Sequence, residues 1–212
     1  MEIEEVGVTE STPATPARRL ERRRAMIEAA QSLFLERGYD ATSLGAIVKR
    51  SGGSLATLYE LFGNKQGLLR AIVELRDEHD RCPGYGQDCA VTPPSQLLRG
   101  YAHRVYGHVT SPRAIALKRI VITEALRDPE FARTLYEDIH LPPIRELAEI
   151  LRRLDEEGKA KIDDPMAAAG LFFAIVMSDA QLRLLVQGDT SLLDPAALDW
   201  RLTPFLSHFQ ID

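Results

Sequence analysis

Two cysteines in 212 residues, Cys82 and Cys89, are too few for a disulfide framework. Six residues separate them and His79 stands just upstream, a spacing that fits no standard zinc pattern and lacks a fourth ligand. No metal site is expected, and plain thiols are the simpler reading, with a redox role left open. Long apolar runs are missing too. The richest, around Met166 to Met177, falls well short of the roughly 20 residues that a bilayer span needs. The opening MEIEEVGVTESTPATPA has neither the basic start nor the apolar segment of a secretory leader; its Glu, Ser, Thr and Pro predict a disordered tail over 1–17. No stretch alternates with period two for long enough to make a strand, and no repeat of fixed period occurs. Nor is there a G-x-S-x-G, a P-loop or an H-E-x-x-H, and the five histidines are scattered, so an enzyme finds little support and no cofactor is expected.

What the chain does have is helical periodicity and punctuation, which set the fold class as all-α. Met26, Ile27, Ala30, Leu33 and Phe34 recur at helical spacing and predict a first helix over about 18–37, ended by Gly38. Thr42 is placed as the N-cap of a second helix, 43–51, with Leu44, Ile47 and Val48 inward. Gly52-Gly53 forces a turn, Ser54 caps a third helix, 55–61, and Gly63-Asn64 leads into a long helix from Lys65 to about Arg81. Two short helices joined by a brief glycine turn make a helix-turn-helix, whose second member lies in the DNA major groove.

Charge supports that division. Residues 18–76 carry 11 Lys/Arg against 6 Asp/Glu, whereas the tail and the remainder are acidic and the whole chain is −5. One basic segment on an acidic protein argues for a localised nucleic-acid footprint. The run Arg18, Arg19, Arg22, Arg23, Arg24 is densest, either a solvated helix face or an arm for phosphates or the minor groove.

Residues 22–69 resemble the N-terminal domain of the TetR family of transcriptional repressors: Phe34 with Gly38-Tyr39 and Thr42-Ser43, then Gly52-Gly53-Ser54, then Thr57-Leu58-Tyr59 with Phe62, then Lys65 with Leu68-Leu69. The resemblance implies phosphate contacts from Thr42, Tyr59 and Lys65, and a recognition surface of Ser54, Leu55, Ala56 and Thr57. Departures bear on specificity. Leu55 stands where relatives often carry Arg or Lys, Gly45 where they often carry a polar base-reader, Leu61 where a His is common and Gly53 where a Val packs into the core. Direct readout is then expected to lean on Arg50, Lys49 and apolar contacts, with DNA shape supplying part of the selectivity.

The Gly- and Pro-rich stretch CPGYGQDCAVTPPS marks a linker over 82–94. Beyond it, Ser111-Pro112, Asp128-Pro129, Asp164-Pro165 and Asp194-Pro195 each put a capping side chain before a first-turn proline. Helices are predicted near 95–109, 112–126, 129–157 with a kink at Pro142-Pro143, 165–187 and 195–209. The expected organisation is a tail (1–17), a helix-turn-helix domain (18–64), a connecting helix (65–81), a linker (82–94) and a ligand-binding and dimerisation domain (95–212).

Effector-cavity candidates are Tyr101, Val105, Leu117, Ile120, Val121, Glu124, Phe131, Tyr136, Phe172, Phe173 and Val176, with Tyr101, His103 and Glu124 as polar anchors. Each has a plain alternative as core. The segment AAAGLFFAIVM is apolar all round, so one face needs a second covering surface. Ala167, Ala168, Gly170 and Ala174, with Leu198, Leu202, Phe205, Leu206 and Phe209 of the last helix and with Trp200 and Arg183, suggest a four-helix dimer interface. The expectation is a cytoplasmic, ligand-responsive regulator, most simply a repressor, that binds a palindromic double-stranded DNA operator as a homodimer, is released by a small molecule and has no membrane contact. The competing reading is a helical interaction module that has lost DNA binding. Effector, operator and target genes are not legible.

Overall fold

The computed structural model describes residues 16–75, 92–186 and 195–212, without the side chains of 178–181 and 195. The predicted tail through residue 15, the segment 76–91 with both cysteines and His79, and Asp194 lie outside the described residues. Helices α1 (Pro16–Arg37), α2 (Leu44–Ser51), α3 (Leu55–Phe62), α4 (Lys65–Glu74), α5 (Pro94–Val109), α6 (Pro112–Arg127), α7 (Pro129–Leu135), α8 (Leu141–Glu156), α9 (Pro165–Val186) and α10 (Pro195–His208) succeed one another, with no strand among the described residues.

The punctuation read from the sequence performs as expected at most helix starts. Ser54 accepts the Thr57 amide at 3.1 Å, Ser111 that of Ala114 at 3.2 Å, and Asp164 that of Ala167 at 3.0 Å. Asp128 takes the amides of Phe131 and Glu130 on one oxygen and the Gln66 side chain on the other; the Phe131 and Gln66 bonds do most to hold its carboxyl below the usual carboxylate range. Gly38, at φ +86°, turns the chain out of α1 in the left-handed region that glycine enters at little cost.

Three boundaries differ from expectation by more than one residue. Pro16 and Ala17 belong to α1, because proline is well suited to a first helical turn. Helix α4 ends at Glu74, with Leu75 at ψ 73°, so the predicted run to Arg81 is not continuous from Lys65. The single kinked helix over 129–157 is instead α7 and α8 joined by a π-helical turn, Tyr136–His140. Pro142 and Pro143 lack the amides that would close regular turns there, and Leu141 donates to the carbonyl of Tyr136 five residues back.

Two apolar cores form. One gathers Met26, Ile27, Ala30, Leu33 and Phe34 of α1, Ile47, Leu58, and Leu68, Leu69 and Ile72 of α4. The other gathers α5, α8, α9 and α10 around Tyr101, Leu147, Leu151, Phe172, Leu202 and Phe205. Phe131 of α7 is buried in the first core, and Leu117, Ile120 and Val121 of α6 pack on it, so the two halves share an apolar seam.

Candidate nucleic-acid interface

The turn between α2 and α3 runs through Gly52 at φ +70° and Gly53 at φ +132°. A β-carbon at Gly53 would stand 3.0 Å from the terminal methyl of Met26. The volume that a larger turn residue would occupy is thus taken by Met26 from α1. With the turn closed and Leu58 fully buried beneath, α3 presents Ser54, Leu55, Ala56 and Tyr59 to solvent; Tyr59 is 53% exposed. Thr57 is half-buried, its hydroxyl 2.9 Å from that of Ser54. Five predicted recognition residues therefore share one element, with Leu58 as its anchor.

The other three predicted DNA contacts make hydrogen bonds within the protomer. Thr42 does not cap α2; Ser43 does, accepting the Ala46 amide at 3.1 Å. Thr42 is only 2% exposed, and its hydroxyl donates to the carbonyls of Gly38 at 2.8 Å and Leu33 at 3.2 Å. Arg50 clamps Glu36 of α1 with both terminal nitrogens, at 2.8 and 2.9 Å, and reaches Ser32 at 3.0 Å. That contact holds the Glu36 carboxyl down to about 2 and lays the Arg50 side chain along α1, on the exposed surface. The Lys65 ammonium donates to the Tyr39 carbonyl and lies 4.3 Å from the Tyr39 ring centroid; burial lowers its pKa despite the nearby Asp40 and Glu124. Thr42 and Lys65 thus both hold the fold together locally.

The arginine run divides similarly. Arg19 pairs with Glu60 of α3 at 3.0 Å, Arg24 with Glu28 of its own helix at 3.1 Å, and Arg23 lies over the Phe62 ring. Arg18, Arg22 and Lys49 form no ion pair among the described residues.

In the second half, the eleven effector candidates fall into different surroundings. Tyr101, Val105, Phe172, Phe173 and Val176 are buried in the C-terminal core, where Tyr101 stacks on Phe172 with centroids 5.8 Å apart. Leu117, Ile120, Val121 and Phe131 line the seam with the reading head. Glu124, 8% exposed, is bound by Arg127 at 3.0 Å. Tyr136 is exposed and stacks on His140. His103 bonds Asp199 at 3.0 Å beside Arg99. A solvent-open hollow of about 600 Å³ lies elsewhere, lined by Ser95, Arg99, Thr203, Leu206 and the C-terminal residues, with none of the eleven. Periodicity finds apolar positions but cannot say which core they join. It also passed over Lys118, a lysine on a helix that reads as solvated; burial lowers its pKa to about 8.

The fold and this arrangement agree with known proteins. Residues 26–72 match the family model for bacterial regulatory proteins of the tetR family, and residues 96–201 match that for the C-terminal domain of AefR-like transcriptional repressors. A flavonoid-responsive regulator, FrrA, is 33% identical, with 88% of this chain and 96% of that one covered and a TM-score of 0.66. The chain belongs to the TetR family of transcriptional regulators. Members of this family are regulators, not enzymes. A TetR-family structure from Mesorhizobium loti MAFF303099 superposes with TM-score 0.74 over 91% of this chain and 98% of that one; at 22% identity it speaks for the fold alone. The repressor ComR of Escherichia coli K12 is 44% identical over 52 residues, 24% of this TetR regulator, which spans only a quarter of ComR's length. The regulator UidR of the same strain is 25% identical over 145 residues, covering 66% of this chain and 70% of UidR. No helix among the described residues is long and apolar enough to cross a membrane.

Proposed function

We propose that this TetR regulator binds a palindromic DNA operator as a homodimer in the cytoplasm, and that a small molecule taken up by its C-terminal half releases it, giving ligand-responsive repression. The observation that carries the reading is the outer surface of α3, where Ser54, Leu55, Ala56 and Tyr59 stand in solvent on a helix fixed by the buried Leu58. Small side chains let the α3 backbone approach a groove closely, and Tyr59 supplies a phenol for a phosphate. With Arg50 engaged, Leu55 apolar and Gly45 bare, base hydrogen bonds are few, and DNA shape carries a larger share of selectivity.

Dimerisation is supported by α9, whose Phe172, Phe173 and Val176 are buried while Met166, Ala167, Leu171 and Ala174 face out. The four apolar α10 residues Leu198, Leu202, Phe205 and Leu206 are instead spent in the protomer's own core, so α9 and the exposed Trp200 are what remain for a partner. Effector control is supported by similarity to FrrA, which is named as flavonoid-responsive, and to a Bacillus subtilis FadR solved with stearoyl-CoA, 18% identical. Release follows if the effector favours a spacing of the two heads that fits the operator less well.

The test is selection of bound sequences from a random duplex pool by the full chain, then titration of the winner at two salt concentrations. A palindrome bound with steep salt dependence is expected. Tyr59→Phe is the discriminating variant: it should weaken binding on all sequences alike while leaving stability unchanged, since the Tyr59 side chain is exposed. Recovery of no sequence from folded protein would favour the interaction-module reading instead.

A further inference from the structure

Polar ties flank the apolar seam between the halves: besides Arg70 of α4 with Asp138 of the π turn at 3.7 Å, three start from α6 or the α7 cap. Arg113 donates to Gln31 of α1, Gln66 of α4 donates to Asp128 at 3.1 Å, and Arg127 reaches Asp40 in the turn that leads into α2. The third is the most informative. A single Arg127 nitrogen lies 3.0 Å from Glu124 and 3.2 and 3.3 Å from the two Asp40 oxygens. Glu124 is buried and its carboxylate pairs with Arg127, whereas the Asp40 side chain is 75% exposed. The same turn is held from the other side by Lys65, which donates to the carbonyls of Tyr39 and Asp40, and internally by the Thr42 amide on Tyr39 at 3.1 Å.

We infer that Arg127 is a positioning residue: anchored by buried Glu124, it sets the Gly38–Ser43 turn, and hence the start of α2, according to where the end of α6 stands. This rests on the regulatory reading above and names the route by which it operates, through α6 onto the α1–α2 turn beside α4. The logic is geometric. Asp40 is three residues ahead of the Ser43 cap, so a displacement of the Arg127 head is delivered directly to the base of the helix-turn-helix. An exposed pair of this kind adds little to global stability, so its effect falls on position. Two positions of α6 would then mean two placements of the reading head, which is what a coupling between sites requires.

Hydrogen exchange on the full chain tests this without knowledge of effector or operator. Asp40→Asn, Arg127→Gln and the double variant are compared with wild type. Amides of residues 39–43 are expected to exchange about 3- to 10-fold faster in each single variant and no faster in the double, as for two members of one interaction. Operator affinity, measured on the selected duplex, should shift by one common factor in all three. Asp40→Asn alters only the exposed end, so its result stands even if Arg127→Gln weakens the fold. Unchanged exchange in Asp40→Asn, or effects of the two variants that add, would overturn the proposal. Coupled exchange with no operator recovered would leave the relay intact and sink the DNA-binding reading instead.

Discussion

Thr42 shows how a residue can match a motif and still be doing something else in the fold. A threonine before a helix reads as a cap, yet Ser43 is the residue directly before α2; it takes the extended backbone of an N-cap, at φ −87° and ψ 152°, and its oxygen reaches the Ala46 amide. Thr42 is then free to turn inward and join the end of α1 to the turn. Thr42→Val keeps the shape and removes the donor to two carbonyls; urea unfolding should show a loss of about 1–2 kcal/mol. If stability held and operator affinity alone fell, the hydroxyl would be a phosphate contact after all. Lys118 gives a second residue-scale expectation. Burial favours its neutral amine, lowering the pKa from 10.5 to about 8, so the fold carries a penalty fully present below pH 8. Between pH 8 and about 10.5 the unfolded chain holds the proton and the folded one does not, so stability rises with pH in that window. Lys118→Met should therefore stabilise the protein, by at most about 3 kcal/mol near pH 7, and the advantage should shrink toward pH 10. A pH-independent difference in melting temperature across that window would refute this.

At the scale of elements, sequence legibility follows the physics of each signal. Helix starts were readable because a capping side chain followed by proline is a local device; Ser111, Asp128 and Asp164 all perform it. The α2–turn–α3 unit was readable because Gly52 and Gly53 adopt backbone angles that few other residues tolerate. The π turn at Tyr136–His140 was not, since a proline pair announces a fault in the helix but not how neighbouring carbonyls are repaired. The site was readable for α3, where exposure follows from one buried Leu58 per two turns, and unreadable for Arg50, whose partner Glu36 lies 14 residues back on another helix. The effector candidates divide between two apolar clusters for the same reason. Periodicity tells which face of α6 is apolar, whereas the neighbour that covers it, here the reading head, is a tertiary fact.

For the molecule as a whole, the open question is what covers α9. Its outward residues Met166, Leu171, Leu182 and Val186 are large, apolar and exposed, and Ala167 and Ala174 between them leave room for a second backbone to approach. Leaving such a stripe in water forfeits the burial that a partner would provide, and a second copy supplies the same stripe by two-fold symmetry. The chain contains a single tryptophan, Trp200, which is 76% exposed in the protomer. It is therefore a built-in reporter. Wild-type protein diluted through its dimer dissociation range should show Trp200 emission shifting to longer wavelength, with helical circular dichroism unchanged. Leu171→Glu, which places a charge on each side of the expected two-fold contact without touching the core, should give the long-wavelength emission and a monomer mass by light scattering at every concentration. Because operator binding by two heads multiplies two weak contacts, that variant should also bind the selected palindrome far more weakly, while binding a half-site as wild type does. A Leu171→Glu protein that stays dimeric would place the interface elsewhere and remove α9 from the account of assembly.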